Sequence, residues 1–304
     1  MSDSKLDFKE VRIEDYDWIY SYTSRYGEGS CQHSPVSMYS LAEKYQDEVC
    51  ERDGYLFTLR HGLCDDEYRV YLAPLGDAPL ARGFEMIMED AAAYGRKVKF
   101  ITLTDIARNA LEESFPGRFG YVGDRDLSEY IYRAEIMAAF EGSSLRKRRA
   151  EVHTFWNQYG DRARIAPIGP EDYEECLAYE EKWTKDNIET HDAFALERDM
   201  HVIGKQMAHY KELHLSGIIL YVDDVIRGFT YGTKLGDTYD VIVEKADRVI
   251  PHSFKVLRQE SAKRCATGCT YVNMEEDLGI PGLRALKMAY KPEKLLAKYI
   301  VTEK

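Results

Sequence analysis

The hydrophobic and polar positions along the chain predict an alternation of short strands and amphipathic helices. In the first half, the predicted elements are a strand pair at 55–62 and 67–76, a helix at 80–96, a strand at 97–104 and a helix at 105–115. Asp105 stands where that last helix begins and is predicted to be its N-cap. Because strands and helices alternate rather than occur in separate blocks, the pattern indicates a mixed α/β protein.

The second half of the chain repeats this order. Its predicted elements are helices at 171–187 and 195–215, a three-stranded meander at 216–222, 225–235 and 238–246, a helix at 253–266, a strand at 270–275 and a helix at 281–290. The sequence therefore predicts two similar α/β halves, an N-terminal half at 1–142 and a C-terminal half at 143–304.

A basic helix is predicted at 143–160, with Ser143 or Ser144 as its cap. Its apolar side chains recur at helical spacing and predict one buried face, formed by Leu145, Val152, Phe155, Trp156 and Tyr159. Arg149 falls on or beside that face. Such a cation either meets a carboxylate or a ligand anion, or extends along the apolar surface to solvent, and both interpretations are open.

Residues 271–277 combine a strand-like pattern with several polar side chains. In a strand, Asn273 and Glu275 share one face, and Asp277 can extend the same row. A polar row of this kind is costly to bury without partners, so it is expected at the rim of a cleft.

The helix predicted to follow this strand carries two cations. Pro281 fits its first turn, and Arg284 and Lys287 lie three residues apart on it. The strand, turn and helix fold back on one another, so the cations can approach the carboxylate row. The segment is therefore either a local salt-bridge cluster or a ligand site at the carboxyl end of a strand.

Composition and charge limit the possible classes of function. The 304 residues are 44% hydrophobic and 31% charged, which is typical of a globular protein. No apolar run approaches the ~18 residues of a membrane helix, and the first residues lack a secretory signal, so a cytoplasmic location is predicted. The net charge of −12 argues against a large non-specific nucleic-acid surface. The six cysteines have no zinc-site spacing, and no metal is expected.

The end of the chain resembles a known family signature. The pattern runs Asn-x-Glu-x-Asp-Leu-Gly, then Leu-Arg-x-x-Lys-x-x-Tyr-x-Pro, then Lys-Tyr. It is matched by Asn273, Glu275, Asp277, Leu278, Gly279, Leu283, Arg284, Lys287, Tyr290, Pro292, Lys298 and Tyr299. It resembles the C-terminal domain of phosphatidylglycerol lysyltransferases, which has a tandem GNAT-like acyltransferase fold. Looser matches lie at 128–132, 148–155 and 243–247.

The resemblance implies an aminoacyltransferase that moves an aminoacyl group from aminoacyl-tRNA to a lipid or small-molecule acceptor. The implied catalytic residues are Glu244, Glu275, Asp277 and Lys287, and the implied substrate-binding residues are Asn273, Arg284, Tyr290, Arg148 and Arg149. The carboxylates would hold the donor ammonium or act as base, and the C-terminal cations would meet the oxyanion or a phosphate. The two arginines of the basic helix would take a phosphate of the tRNA or of the acceptor.

Two other functions remain open. One is a GNAT-like module that binds an aminoacylated or anionic ligand without turnover, and the other is an acyl-CoA-dependent N-acyltransferase. The second usually needs a glycine-rich loop for the CoA pyrophosphate, yet residues 247–255 contain no glycine and include Pro251. We therefore expect aminoacyl-tRNA as donor substrate, with no CoA and no other cofactor.

Overall fold

The structure is a computed structural model and describes residues 5–187 and 193–304. Its helices are α1 (Tyr16–Tyr26), α2 (Pro35–Ser40), α3 (Ala42–Tyr45), α4 (Leu80–Ala93), α5 (Asp105–Ser114), α6 (Ala134–Ala139), α7 (Arg146–Tyr159), α8 (Tyr173–Asn187), α9 (Ala193–Ala208), α10 (Ser253–Arg264) and α11 (Pro281–Met288). Its strands are β1 (Lys9–Glu10), β2 (Asp47–Arg52), β3 (Tyr55–Arg60), β4 (Tyr68–Tyr71), β5 (Leu75–Gly76), β6 (Lys97–Leu103), β7 (Phe119–Arg133), β8 (Ala163–Pro167), β9 (Ser216–Val222), β10 (Val225–Leu235), β11 (Thr238–Ala246), β12 (Tyr271–Asn273) and β13 (Lys294–Glu303).

The chain forms two compact units that are discontinuous in sequence. The first unit comprises Met1–Tyr130, Glu275–Met288 and Lys294–Lys304, and the second comprises Ile131–Met274 and Ala289–Glu293. The division into domains at residues 142 and 143 stays a prediction, and the compact units do not follow it. One reason is that β13 pairs with β6, with Val301 opposite Phe100. No local sequence pattern predicts a strand partner so far away in the chain.

The first unit has a mixed sheet covered on both faces. Its strand order is β1-β2-β3-β4-β6-β13-β7, and only the β4–β6 pair among those with a given register is parallel. Successive residues of β3 serve opposite faces, as strand geometry requires: Leu56 packs in one buried apolar cluster and Phe57 in the other. Helix α4 covers one face, where Phe84 meets Phe100 edge to face at 5.2 Å.

The second unit contains the predicted meander. Strands β8, β9, β10 and β11 are antiparallel neighbours, and β12 runs parallel to β11 and antiparallel to the end of β7. Helix α10 packs so closely that a Cβ on Gly228 would lie 2.7 Å from Leu257 Cδ1. The β11–β12 pairing covers only Thr238–Asp240, so the later residues of β11, including Glu244, lie beyond it.

Most predicted elements form, but several details differ. The helix predicted at 195–215 ends at Ala208, and the strand predicted at 67–76 is divided into β4 and β5. The N-cap of α5 is Thr104, whose Oγ1 accepts from Ala107 N at 3.3 Å, because its backbone is still extended while Asp105 is already helical. Neither Ser143 nor Ser144 caps α7 through its side chain; Arg146 N donates instead to the Ser143 carbonyl. The strand predicted at 270–275 ends at Asn273.

Candidate functional site

The backbone after β12 breaks the predicted row of polar side chains. Glu275 has a left-handed backbone (φ 54°), so the alternation of faces stops at the end of the strand. Asn273 is fully buried in β12 of the second unit, between Asp240 and Ile131, whereas Glu275 and Asp277 belong to the first unit. The three side chains therefore do not form one strand face.

Asp277 is the centre of a salt-bridge cluster, here called the Asp277 cluster. Its carboxylate is fully buried and accepts from Arg284 at 2.7 and 2.8 Å and from Tyr130 Oη at 2.5 Å. Gly279 N (2.9 Å) and Arg125 Nη1 (3.3 Å) complete the set. These hydrogen bonds, those from Arg284 first, hold the pKa of Asp277 well below its usual range.

This geometry favours the salt-bridge interpretation for two of the sequence-predicted site residues. With five donors around it, Asp277 is a poor base and has little room for a substrate ammonium. Arg284 is committed as well, since its Nη2 also donates to Asp126 at 2.6 Å. Both residues position the turn between Glu275 and α11 and are not supported as groups that touch a substrate.

Glu276 has a different environment, here called the Glu276 site. Its half-buried carboxylate is flanked by Cys31 Sγ, which donates to Oε2 at 3.4 Å, and by Gln32 Nε2, which donates to Oε1 at 3.2 Å. Burial raises the pKa of Glu276, and the neighbouring Glu129 carboxylate raises it further. The Lys287 ammonium lowers it, and that ammonium donates to the Glu276 carbonyl oxygen.

A buried ion pair holds the loop that flanks the Glu276 site. Lys298 Nζ lies 2.7 Å from Glu129 Oε1, and both side chains have no exposed area. Ser30 Oγ donates to Glu129 Oε1 at 2.7 Å and accepts from Lys298 at 2.6 Å, and Cys31 N donates to Glu129 Oε2 at 3.1 Å. Such a pair is costly to bury and is retained only where its remaining hydrogen-bonding capacity is used, as it is here.

The loop that carries Ser30, Cys31 and Gln32 has a strained backbone. Glu28 and Gly29 are consecutive left-handed residues, and Glu28 accepts from Thr104 Oγ1 at 2.5 Å. A Cβ on Gly27 would lie 2.5 Å from the Thr23 carbonyl oxygen, so the loop approaches the end of α1 more closely than any other residue permits. Strain of this kind concentrates at functional sites.

Sequence reasoning placed Lys287 and Glu275 in this region but missed most of the site. The missed residues are Ser30, Cys31, Gln32, Glu129, Glu276 and Lys298. The signal for two of them was weak but present, since Glu129 and Lys298 fall within segments that resemble the family pattern at 128–132 and in its terminal Lys-Tyr. Nothing in the local sequence of residues 30–32 indicates that they reach Glu276.

A second group of sequence-predicted residues comes together in the second unit. The ring of the buried Tyr290 lies 4.4 Å from the Arg258 guanidinium and 5.3 Å from that of Arg148. Arg258, which the sequence did not single out, forms a two-point ion pair with Glu244, with Nε to Oε2 at 3.1 Å. The negative charge of Glu244 is therefore compensated by Arg258. Arg148 forms its own ion pair with Glu151 at 3.0 Å.

Arg149 has a structural role in the same unit. Its Nη1 donates to the carbonyl oxygens of Phe140, at the end of α6, and of Gly142, the latter at 2.8 Å. These contacts explain a cation beside the apolar face of α7, because helix-terminal carbonyls need donors. They do not support the predicted binding of a ligand phosphate by Arg149.

Metal ligation and membrane insertion find no support in the residues that the structure describes. Within 5–187 and 193–304, no cluster of His, Cys, Asp and Glu side chains could hold a metal ion. In that same part of the chain, no helix is both long and apolar enough to cross a bilayer. The six cysteines are free thiols.

The fold is mixed α/β, as the sequence predicted. A family model described as phosphatidylglycerol lysyltransferase, C-terminal, matches residues 23–302, and the chain belongs to this family of aminoacyltransferase-like proteins. The resemblance seen in the sequence is thereby confirmed.

Solved structures agree with this assignment. A conserved protein of unknown function from Bacteroides thetaiotaomicron is 29% identical, with a TM-score of 0.91 over 98% of this chain and 100% of that one. L-PGS from Bacillus licheniformis is 13% identical, with a TM-score of 0.67 over 97% and 93% of the two chains, which shows a shared fold alone. The C-terminal domain of a putative lysylphosphatidylglycerol synthetase from Agrobacterium fabrum is 11% identical, with a TM-score of 0.65 over 96% and 91%.

A curated relative, the uncharacterized protein MYCGA3080 of Mycoplasmoides gallisepticum, is 23% identical over 174 residues. The match covers 57% of this chain and 56% of the relative, so it spans about half of that protein's length.

Proposed function

We propose that the protein transfers an aminoacyl group from aminoacyl-tRNA to a hydroxyl group of a lipid or small-molecule acceptor, with Glu276 as general base. The observation that carries the proposal is the Glu276 site. A partly buried carboxylate whose pKa is raised by burial and by Glu129 is a stronger base than an ordinary glutamate. The adjacent Lys287 ammonium supplies positive charge where an oxyanion would develop.

The reaction needs no protein nucleophile, because the aminoacyl ester is already activated. Glu276 takes the proton of the acceptor hydroxyl while the acceptor oxygen forms a bond to the ester carbonyl carbon. Lys287 stabilises the resulting oxyanion. The bond between that carbon and the ribose oxygen of the tRNA then breaks, and the ribose oxygen receives the proton from Glu276. Protons and electron pairs balance, and no cofactor takes part.

Other sequence-predicted residues keep supporting roles in this proposal. Glu275 precedes the base in the same turn and would hold the donor ammonium. In the second unit, Arg148 would contact a phosphate, with its guanidinium stacked at Tyr290. Arg149 and Glu244 are not assigned a role in substrate binding or catalysis. Arg149 already donates to a carbonyl oxygen at the end of α6, and Glu244 is already paired with Arg258.

The start of α10 supports a donor other than acyl-CoA. In GNAT-type sites the CoA pyrophosphate is bound by backbone N–H groups at this position. Here Val249 N donates to Asp247 Oδ1 at 2.8 Å and Ser253 N donates to the Ile250 carbonyl at 3.3 Å, so these donors are occupied. We therefore propose that CoA is not a substrate.

The test is transfer of a radiolabelled amino acid from a panel of aminoacyl-tRNAs. Acceptors are vesicles that contain phosphatidylglycerol and, separately, small hydroxyl compounds. We expect Glu276→Gln to lower the rate by about 100-fold or more, since general-base catalysis contributes 10²–10⁴-fold. Glu113→Gln, a change of the same chemistry at an exposed position, should leave the rate unaltered.

Two results would contradict the proposal. Wild-type protein that binds a non-hydrolysable 3′-aminoacylamino-adenosine but transfers nothing would favour a ligand-binding module. Turnover of acetyl-CoA, with binding seen by calorimetry, would favour an N-acyltransferase instead.

A further inference from the structure

A chain of polar contacts runs through the first unit to the proposed base. It links Asp47, Arg60, Gln32 and Glu276, and its members other than Glu276 lie outside every segment in which the sequence indicated chemistry. We propose that Gln32 is a positioning residue that, oriented by the Arg60–Asp47 pair, holds the Glu276 carboxylate as a proton acceptor. The role of Glu276 in this inference rests on the proposed function.

The Asp47–Arg60 pair, at the end of this series of contacts that is farthest from Glu276, is held rigidly because it is buried and bidentate. Arg60 Nε lies 2.8 Å from Asp47 Oδ1, and Nη2 lies 2.9 Å from Oδ2. The two residues are register partners on β3 and β2, and both side chains are almost fully buried. The Tyr45 ring covers the guanidinium at 4.1 Å. The strand pairing, the carboxylate and the ring together fix the direction of the remaining nitrogen, Nη1.

That nitrogen decides which way the Gln32 amide points. Arg60 Nη1 donates to Gln32 Oε1 at 3.2 Å. A guanidinium has donors only, so the amide oxygen must face Arg60 and the amide nitrogen must face away from it. The nitrogen then donates to Glu276 Oε1 at 3.2 Å. The contact with Arg60 therefore fixes which atom of the Gln32 amide is oxygen and which is nitrogen, so the donors and acceptors between Arg60 and Glu276 are assigned without a separate assumption about the amide orientation.

These contacts favour the ionised form of the Glu276 carboxyl group over its neutral form. Gln32 Nε2 and the Cys31 thiol both donate to the carboxylate, and an amide N–H₂ cannot accept a proton from a neutral carboxyl group. Of the charged groups nearby, Glu129 on β7 disfavours ionisation and Lys287 on α11 favours it. Lys298 on β13 is paired with Glu129. Gln32 therefore offsets part of the cost of a buried carboxylate and keeps the base available at lower pH.

The experiment compares the pH dependence of aminoacyl transfer in wild type, Gln32→Ala and Gln158→Ala, the last an exposed glutamine on α7. In Gln32→Ala the acid limb of the profile should move to higher pH. The rate should fall about tenfold at the acid end of the profile, with a loss below about twofold at its alkaline end, because the hydrogen bond from Gln32 favours the ionised base. A loss of equal size at every pH, or an unchanged profile, would overturn the inference.

A second measurement reports on the same residue without turnover. NMR titration of ¹³C-labelled glutamate carboxyl groups identifies Glu276 as the resonance that disappears in Glu276→Gln. In Gln32→Ala this resonance should titrate at higher pH than in wild type, and an identical midpoint would overturn the inference. If wild type transfers nothing, the proposed reaction fails, while the NMR titration still decides whether Gln32 acts on Glu276.

Discussion

Glu276 and Asp277 are adjacent in sequence, carry the same chemical group and lie in opposite environments. Asp277 accepts from two guanidinium groups, a phenol and a backbone N–H, which lowers its pKa. Glu276 accepts from a thiol and an amide and lies near another carboxylate, and its pKa is raised. A one-residue step along a turn separates a carboxylate that holds the fold together from one suited to proton transfer.

The different environments of Glu276 and Asp277 show that a cluster of carboxylates in a segment does not by itself indicate which of them is functional. Full compensation by cations stabilises the ionised form and makes a group inert as a base. Incomplete compensation raises the pKa of a carboxyl group and makes it a better proton acceptor. In the second unit, two neighbouring arginines both have partners: Arg149 donates to carbonyl oxygens and Arg148 pairs with Glu151 beside an aromatic ring.

The largest effect is expected for Asp277→Asn. The substitution removes the buried charge that two arginines share, and the unfolding free energy should fall by about 3 kcal/mol. Transfer by the folded fraction should stay within about threefold of wild type. Urea unfolding together with the assay gives both numbers. A stable variant that has lost transfer would reverse the roles assigned to the two carboxylates.

Arg284→Gln should have the next largest effect. Arg284 supplies two of the donors at 2.7–2.8 Å, so its loss should measurably lower the free energy of unfolding. Arg125→Gln is the matched control, because Arg125 is more exposed and its contact is longer, at 3.3 Å. It should cost no more than about 1 kcal/mol in the same urea unfolding experiment. Equal costs would show that the two arginines share the charge of Asp277 evenly.

In the second unit, Arg149→Ala should lower the unfolding free energy by about 1 kcal/mol, because it leaves the carbonyl oxygens at the end of α6 without their donor. Arg148→Ala should have little effect on stability. It should instead reduce the slope of log affinity against log salt for aminoacyl-tRNA by roughly one, as expected for one lost phosphate contact. A salt slope that Arg148→Ala leaves unchanged would remove Arg148 from the proposed substrate contacts.

The smallest effect is a pH dependence with opposite signs for the two carboxylates. The raised pKa of Glu276 in the folded state means that its contribution to stability is present at low pH and is lost as the pH rises through that pKa. Glu276→Gln should therefore be more favourable relative to wild type at pH 8 than at pH 4. Asp277 has a lowered pKa, so its contribution is present at neutral pH and is lost as the pH falls. Parallel pH profiles for the two variants would show that the environments do not differ as described.

The secondary structure of much of the chain and the family could be predicted from the amino-acid sequence. Apolar runs predicted β6 and the β9–β11 meander, and the helical spacing of apolar residues predicted α4, because the burial of these elements is visible in the local composition. The density of specific residues near the C-terminus was sufficient to identify the family. It also indicated that carboxylates and cations meet between 275 and 287, which the Asp277 cluster confirms in its salt-bridge form.

The different environments of these carboxylates could not be predicted from the sequence, because they depend on the packing of distant segments. The left-handed backbone at Glu275 ends the alternation, and a strand pattern cannot predict that turn. The partners of Glu276 lie more than two hundred residues away in sequence, on a loop whose hydrogen-bonding direction is set by an ion pair between two strands. A pKa depends on the groups within a few ångströms in space, and those groups come together only when distant parts of the chain pack against one another.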